Sequence, residues 1–359
     1  MAPALAAAGI PGAVGLVVGP EAVLADVALG HDLGARFDIA SMTKPLVSVA
    51  ALQLVEQGRL ALDAPVCTLL PGLADPMVLA RFDGEVPVLR PVRTPITLRH
   101  LLTHTAGLGA EFVQPEVGRM RHQPARPGTM ASITMPLLFE PGTGWAYGAC
   151  TDWVGLAVAA ASGMALDEYM AAHVLGPLGM RETGYGGAGV TMMARGGDGA
   201  MTPLPGFATF RPGGDFVPGG AGLAGTAADY GRFLRMLLLG GALDGQRVLG
   251  ADMVAAFGQN QLGDMAAGRL TTTMPWMLAP FDPAPGQRCG WGLGTAVHLE
   301  AGPNGRGAGT LAWGGIGNTH FWLDPAAGLG AVLLMQLLPF GDAGALAVLA
   351  AFERAVYGR

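Results

Sequence analysis

Runs with the alternation and β-branched content of strands lie at the two ends of this chain, whereas its middle has the pattern of short helices. Residues 13–29 contain two such runs around Gly19-Pro20, which predicts a hairpin. Near the other end, the runs that predict an antiparallel series are residues 291–299, 310–313, 319–323 and 330–337. Strands separated by so much helical sequence predict one antiparallel sheet built from both chain ends.

Helices are predicted around and between these strands. Residues 41–57 have helical periodicity and end at Gly58, and residues 343–356 form an amphipathic closing helix. The predicted fold class is therefore α/β (α+β), an antiparallel sheet flanked by helices. Residues 1–60 and 221–359 are expected to form the lobe that carries the sheet. Residues 61–220 are expected to form an inserted, mostly helical lobe, with the active site between the two lobes.

Composition excludes several classes of protein. Hydrophobic residues make up 51% of the chain and charged residues 13%, which is too apolar for a disordered protein. The net charge is −6 and no basic stripe is present, so a nucleic-acid partner is not expected. The longest apolar stretches are too short to span a bilayer, and the N-terminal residues lack a basic leader segment. We expect a cytoplasmic protein with a small-molecule partner and no membrane contact, and the oligomeric state stays open.

Ser41-Met42-Thr43-Lys44 is the motif that carries chemistry. Residues three apart share one face of a helix, so the Ser41 hydroxyl and the Lys44 amine are predicted to lie together at a helix N-terminus. A serine hydroxyl becomes a nucleophile when a neighbouring base takes its proton, and free backbone N–H groups at the helix start can hold an oxyanion. Taken alone, the same four residues also fit a helix cap followed by a solvated lysine.

The surroundings of this motif resemble a known family. Residues 37–45 (FDIASMTKP) are similar to the nucleophile segment of the serine β-lactamase-like superfamily, and above all to the carboxylesterases that share the class C β-lactamase fold (family VIII esterases). Further matches follow in the same order along the chain: residues 96–108 (ITLRHLLTHTAGL), 141–148 (PGTGWAYG), 220–233 (GAGLAGTAADYGRF) and 313–315 (WGG). The resemblance implies a fold like that of β-lactamases and penicillin-binding proteins, and a reaction that needs no metal or cofactor.

The resemblance also implies which residues form the site. Tyr147 would join Lys44 in moving the proton of Ser41, and which of the two accepts it first stays open. The backbone N–H groups of Ser41 and Ile316 would form the oxyanion hole. The strand segment Trp313-Gly314-Gly315 would flank the substrate, although Trp313 also fits plain core packing. His320 is a further candidate for the substrate pocket.

Two departures from the β-lactamase pattern favour an esterase. Lactamases of this fold carry Tyr-x-Asn and Lys-Thr-Gly, whereas this chain has Tyr147-Gly148-Ala149 and Trp313-Gly314-Gly315. An amide and a positive charge that would bind a lactam substrate are thus replaced by a methyl group and an indole. We predict a serine carboxylesterase for short acyl esters. A lactam- or amide-cleaving hydrolase, an acyltransferase to an alcohol or amine, and a non-catalytic binding protein are the alternatives.

Other patterns point to structure rather than chemistry. Residues 220–225 fit G-x-G-x-x-G, but a Pro/Gly-rich loop precedes them instead of a strand, so we expect a turn before the helix capped by Thr226. His100 and His104 have the i, i+4 spacing of zinc ligands but lack a paired glutamate. A structural position near the site is expected for His104. The scattered Cys67, Cys150 and Cys289 are expected to be small core residues.

Overall fold

A computed structural model describes residues 1–121 and 125–359. Its α-helices are α1 (Ala2–Ala7), α2 (Thr43–Glu56), α3 (Leu98–Leu102), α4 (Pro115–Met120), α5 (Met130–Ile133), α6 (Cys150–Ser162), α7 (Leu166–Met170), α8 (Ala227–Leu238), α9 (Ala251–Gly258) and α10 (Ala343–Val356). Its strands are β1 (Ala13–Val18), β2 (Val23–Leu29), β3 (Phe37–Asp38), β4 (Met77–Asp83), β5 (Val86–Pro91), β6 (Gly184–Tyr185), β7 (Met193–Arg195), β8 (Met201–Pro203), β9 (Leu223–Gly225), β10 (Ala242–Leu243), β11 (Gln246–Arg247), β12 (Cys289–Trp291), β13 (Ala296–His298), β14 (Leu311–Gly315), β15 (Thr319–Asp324), β16 (Leu329–Leu334) and β17 (Leu337–Leu338).

The main sheet joins the two ends of the chain. Its order is β12-β13-β14-β15-β16-β1-β2, and the strands pair antiparallel throughout. β1 from the N-terminal part pairs with β16 from the C-terminal part, with Leu16 opposite Val332. The predicted sheet, its antiparallel direction and its origin in both chain ends are confirmed.

Helices cover both faces of this sheet because strand side chains alternate between the faces. On one face, α1 and α10 pack against side chains such as Val17 and Trp322, and this cluster includes Phe352 of α10. On the opposite face, α2 and α8 belong to the larger core, which contains Leu16, Phe321 and Trp313. The Ser41 motif lies at the start of α2, so the sheet face that carries Trp313 is the one turned toward it.

The structure refines several local predictions. The predicted helix over 41–57 begins as a 3-10 turn (Ala40–Met42) and continues as α2. Thr226 caps α8, since its hydroxyl accepts a hydrogen bond from the Asp229 N–H at 3.2 Å. The strand predicted over 291–299 is two strands, β12 and β13, joined by a tight turn at Gly294, whose φ is +120°. Glycine tolerates this backbone conformation, and the turn reverses the chain within the predicted run.

Residues 61–220 contain helices, but strands as well. β4 and β5 form a hairpin that the sequence analysis does not predict, and β6 pairs with β9. The division into two lobes at residues 60 and 220 stays a prediction. Cys150 and Cys289 are buried and Cys67 is half-buried, each as a free thiol. Within residues 1–121 and 125–359, no helix combines the length and the apolar character needed to cross a membrane.

Candidate active site

Ser41 and Lys44 meet at the start of α2. Nζ of Lys44 donates a hydrogen bond to Oγ of Ser41 at 3.2 Å and another to the carbonyl oxygen of Gly220 at 2.6 Å. Lys44 is buried, with 4% of its surface exposed, whereas Ser41 is half-buried. A buried amine that touches a partly exposed hydroxyl is the arrangement needed to deprotonate a serine nucleophile.

The turn that presents Ser41 has a conformation that L residues rarely adopt. Ala40 has φ +46°, and its N–H donates to Oδ1 of the buried Asp38 at 3.0 Å. The same carboxylate accepts hydrogen bonds from the hydroxyl of Thr209 at 2.6 Å and from its N–H at 2.8 Å. Asp38 therefore ties the turn before Ser41 to the loop around Thr209. Such local strain persists because the surrounding contacts determine it, and it is frequent at functional sites.

Tyr147 lies against Lys44, and Trp313 contacts the same tyrosine. Nζ of Lys44 is 4.8 Å from the centroid of the Tyr147 ring. The indole N–H of Trp313 donates a hydrogen bond to the Tyr147 hydroxyl oxygen at 3.2 Å, and the two rings are 5.0 Å apart. The structure thus brings Ser41, Lys44, Tyr147 and Trp313 together. The indole N–H of Trp313 is thus engaged by Tyr147.

An aromatic cluster surrounds Tyr147. Its ring is 4.9 Å from His104, 6.4 Å from Trp145 and 6.4 Å from Trp291. Burial, followed by the charge of Lys44, lowers the pKa of His104 well below its usual value, so this imidazole stays neutral beside the site. His104 thus lies beside the site, where the sequence predicts a structural position for it. Trp291 was not identified from the sequence, because no motif contains it.

β14 runs past the turn that carries Ser41. A side chain at Gly315 would place its Cβ 2.3 Å from the carbonyl oxygen of Ile39, so only glycine allows this approach. Gly314 and Gly315 end the strand, and the half-buried Ile316 follows them. The end of β14 thus lies directly against the residues before Ser41. An oxyanion hole formed by the amides of Ser41 and Ile316 stays a prediction that fits this contact.

His320 lies apart from these residues, in contrast to its expected place in the substrate pocket. It pairs with Gly314 across β14 and β15, whereas Trp313 pairs with Phe321. Because side chains alternate along a strand, His320 is on the sheet face of Trp322 and α10, opposite to Trp313. Its ring packs on Phe340 at 5.6 Å. The sequence could not settle this, since a shift of one residue reverses the faces.

Burial of His320 gives a prediction for stability. Burial, followed by the charge of Arg306, lowers its pKa to about 3. An unfolded chain binds a proton at His320 below pH ~6.5, whereas the folded protein does not, so stability falls as the pH falls through this range. Between pH 7 and pH 5 this histidine should cost roughly 2 kcal/mol. Between pH 7 and pH 5, the free energy of unfolding in urea should therefore fall by about 2 kcal/mol less in His320→Gln than in the wild type. His173 is exposed, so His173→Gln should lose as much unfolding free energy as the wild type. Equal losses of unfolding free energy in all three proteins would contradict the prediction.

The described residues favour neither a cysteine nucleophile nor a metal site at His100. Burial raises the pKa of Cys150 and of Cys289 to about 12, so neither thiol is a nucleophilic thiolate near neutral pH. His100 accepts a hydrogen bond from the N–H of Thr97 at 3.3 Å and completes the cap of α3. Outside the undescribed residues 122–124, no three His, Cys, Asp or Glu side chains lie close enough together to hold a metal ion.

The chain is similar in sequence to esterases and acyltransferases. It is 34% identical over 328 residues to a lovastatin esterase of Penicillium rubens, which covers 82% of this chain and 78% of that protein. It is 32% identical over 358 residues to esterase EstB of Burkholderia gladioli, with 90% and 82% covered. With the acyltransferase calJ of Penicillium decumbens it shares 30% identity over 324 residues, with 85% and 76% covered.

Solved structures give the same result for the fold. The unliganded simvastatin synthase LovD of Aspergillus terreus superposes with a TM-score of 0.82 at 28% identity, covering 99% of this chain and 95% of that one. EstCE1, described as a hydrolase with promiscuous acyltransferase activity, has a TM-score of 0.75 at 25% identity and covers 99% and 96%. The family model described as beta-lactamase matches residues 1–354. This chain therefore belongs to the beta-lactamase family.

Proposed function

We propose that this protein is a serine carboxylesterase that cleaves short acyl esters through an acyl-enzyme on Ser41. The observation that carries the proposal is the 3.2 Å contact between Nζ of the buried Lys44 and Oγ of Ser41, beside the ring of Tyr147. A serine with a neighbouring base of this kind is suited to attack on an ester carbonyl.

The proposed reaction has two half-reactions. In the first, Oγ of Ser41 forms a bond to the carbonyl carbon and its proton passes to the pair of Lys44 and Tyr147. The amides of Ser41 and Ile316 hold the negative oxygen, and the carbon–oxygen bond to the alcohol then breaks while the proton goes to the alcohol. In the second, water attacks the acyl group in the same way, the bond to Oγ breaks, and the acid leaves.

Two features support an ester rather than a lactam as substrate. Ala149 stands where lactamases of this fold carry an asparagine, and Trp313 stands where they carry a lysine. An indole carries no charge that could bind a substrate carboxylate, and in the structure the N–H of Trp313 donates to the Tyr147 hydroxyl. Two relatives at 34% and 32% identity are named esterases, which agrees with this choice.

Acyl transfer to an alcohol or amine is the second candidate. It is favoured by the similarity to the acyltransferase calJ and to simvastatin synthase. The acyl-enzyme is common to both reactions, and they differ only in whether water or another acceptor takes the acyl group. Analysis of products formed in the presence of an added alcohol distinguishes them, since transfer yields a new ester.

Intact-mass measurement tests the proposed function. The wild-type protein mixed with p-nitrophenyl acetate should gain the mass of one acetyl group, and peptide mapping should locate it on Ser41. A series of p-nitrophenyl esters should give its highest kcat/KM with short acyl chains. Nitrocefin turnover comparable to that of p-nitrophenyl acetate would favour a lactam hydrolase instead, and a protein that never becomes acylated would overturn the proposal.

Trp313→Phe tests the hydrogen bond to Tyr147. The variant keeps an aromatic ring but removes the N–H that is donated to the tyrosine oxygen, so kcat for an ester with a poor leaving alcohol should fall about tenfold with KM little changed. Trp145→Phe is the matched control, because the buried indole N–H of Trp145 has no hydrogen-bond partner among the described residues. Equal losses in the two variants would show that aromatic packing, and not the hydrogen bond, matters here.

A further inference from the structure

Gly220 connects Lys44 to a carboxylate that no sequence motif identifies. The carbonyl oxygen of Gly220 accepts the hydrogen bond from Nζ of Lys44 at 2.6 Å. The N–H of the same glycine donates to Oδ1 of Asp152 at 2.9 Å. Asp152 lies in the first turn of α6, five residues after Tyr147. A continuous line of contacts therefore runs from Asp152 through Gly220 and Lys44 to Ser41.

The same glycine leaves Asp152 and Lys44 facing each other. A Cβ added at Gly220 would lie 3.2 Å from each carboxylate oxygen of Asp152 and 3.3 Å from Nζ of Lys44. The space of this missing side chain thus borders both the carboxylate of Asp152 and the amine of Lys44. Opposite charges at such a separation interact strongly where little water screens them.

Other titratable groups around this pair stay neutral near pH 7. The pKa of His104 is lowered well below its usual value by burial and then by Lys44. Burial raises the pKa of Cys150 to about 12, and burial together with the charge of Asp152 raises that of Tyr185 well above its usual value. The ring of Tyr147 also lies against Lys44, and its hydroxyl accepts the hydrogen bond from the indole N–H of Trp313. Burial raises the pKa of the Asp152 carboxyl, whereas the charge of Lys44, followed by the N–H groups of Gly220 and Gly219, lowers it. The charge of Asp152 is therefore coupled to that of Lys44.

We propose that Asp152 is a positioning residue of the Ser41 site, which holds Lys44 through Gly220 and stabilises the positive charge that Lys44 gains from Ser41. This inference rests on the proposed function. In the acylation step the O–H bond of Ser41 breaks and its proton binds the lone pair of Nζ. Oγ forms the bond to the carbonyl carbon, and the carbonyl electron pair moves onto the oxygen. The carboxylate of Asp152 then orients Lys44, as a third group orients the base in other nucleophile–base pairs.

The geometry favours Lys44 over Tyr147 as the first proton acceptor. Nζ lies within hydrogen-bond distance of Oγ of Ser41, whereas the Tyr147 hydroxyl is bonded to Trp313. Tyr147 is left to protonate the departing alcohol. This assignment answers a question that the sequence leaves open, since segments 37–45 and 141–148 each supply one candidate.

Asp152→Asn tests the proposal, because the amide oxygen can still accept from Gly220 while the charge is lost. With p-nitrophenyl acetate the leaving group needs no proton, so the burst rate reports the deprotonation and attack of Ser41 without the later proton transfer to an alcohol. Loss of a nearby anion makes Lys44 a weaker base. We expect the plateau of the burst rate to fall about 10- to 100-fold and the acidic limb of its pH profile to move down by roughly one pH unit.

Two further variants sharpen the test. Gly220→Ala keeps both charges but places a methyl group between them, and it should change the profile in the same direction. Asp26→Asn removes an exposed carboxylate on β2, the edge strand four strands from β14, and should leave the profile as in the wild type.

The outcomes separate this inference from the proposed function. A lower plateau with an unmoved acidic limb in Asp152→Asn would mean that Asp152 only supports the fold, and an unchanged profile would mean that it does not act on Lys44. Either result overturns the inference while wild-type acylation of Ser41 upholds the esterase. Failure of the wild type to form an acyl adduct on Ser41 would overturn both.

Discussion

Replacement of Ser41 by alanine is expected to abolish the acyl adduct and to lower ester turnover by a factor on the order of 10⁴–10⁶. Without Oγ, the acyl-enzyme proposed for Ser41 cannot form. Among the residues that the structure describes, this side chain hydrogen-bonds to Lys44 alone, and Ser41 is half-buried, so the fold should persist. Intact-mass spectrometry, steady-state kinetics and urea unfolding of the same preparation check the three expectations together.

Ser48→Ala is the matched control for this experiment. Ser48 lies on α2 and is fully buried, and its hydroxyl has no hydrogen-bond partner among the residues that the structure describes. Its removal should leave both the adduct and the turnover intact. If Ser41→Ala still gained an acyl group, another nucleophile would carry the chemistry. Cys150 and Cys289 would be poor candidates, because burial raises the pKa of each to about 12.

Local sequence signals predicted much of the fold. α10 spans the predicted 343–356, and the hairpin of β1 and β2 falls within residues 13–29. These elements were accessible because each depends on periodicity and on turn residues within a short stretch of chain. The convergence of Ser41 and Lys44 is of the same kind, since a spacing of three residues at a helix start determines it. Tyr147 was reached only through resemblance to the family.

Contacts between distant segments could not be predicted from local sequence patterns. Asp152 reaches Lys44 through Gly220, and the three positions are separated by more than 60 residues from one another. The strand predicted over 291–299 contains β13 but is interrupted at residues 292–295. Gly292 lies close to the carbonyl oxygen of Phe257, 2.2 Å from a Cβ placed there, and this contact belongs to tertiary packing. The misplaced His320 has the same origin. Which face a strand residue occupies follows from register, and register is set by partners elsewhere in the chain.

Removal of the Tyr147 hydroxyl should produce the second large effect. Tyr147→Phe keeps the ring that packs on Trp313 and His104 but removes the oxygen that accepts the indole N–H. A positioned proton donor or acceptor contributes typically 10²–10⁴-fold to a rate, so turnover of an ester with a poor leaving alcohol should fall at least about 10²-fold. Because p-nitrophenolate leaves without a proton, the loss with p-nitrophenyl acetate should be smaller. The ratio of the two losses is the measurement that identifies a proton donor.

Lys44→Ala supplies the complementary result. The lysine is in direct contact with Ser41, so its loss should lower turnover at least about 10²-fold with both kinds of ester, whatever the leaving group. Tyr169→Phe, which removes a buried hydroxyl without a partner in the described part of the chain, should change neither rate. If Tyr147→Phe lost equal activity with both esters, the tyrosine would act before the alcohol departs. Ser41 would then give its proton to Tyr147, and the order of proton transfer inferred from the contact between Lys44 and Ser41 would have to be reversed.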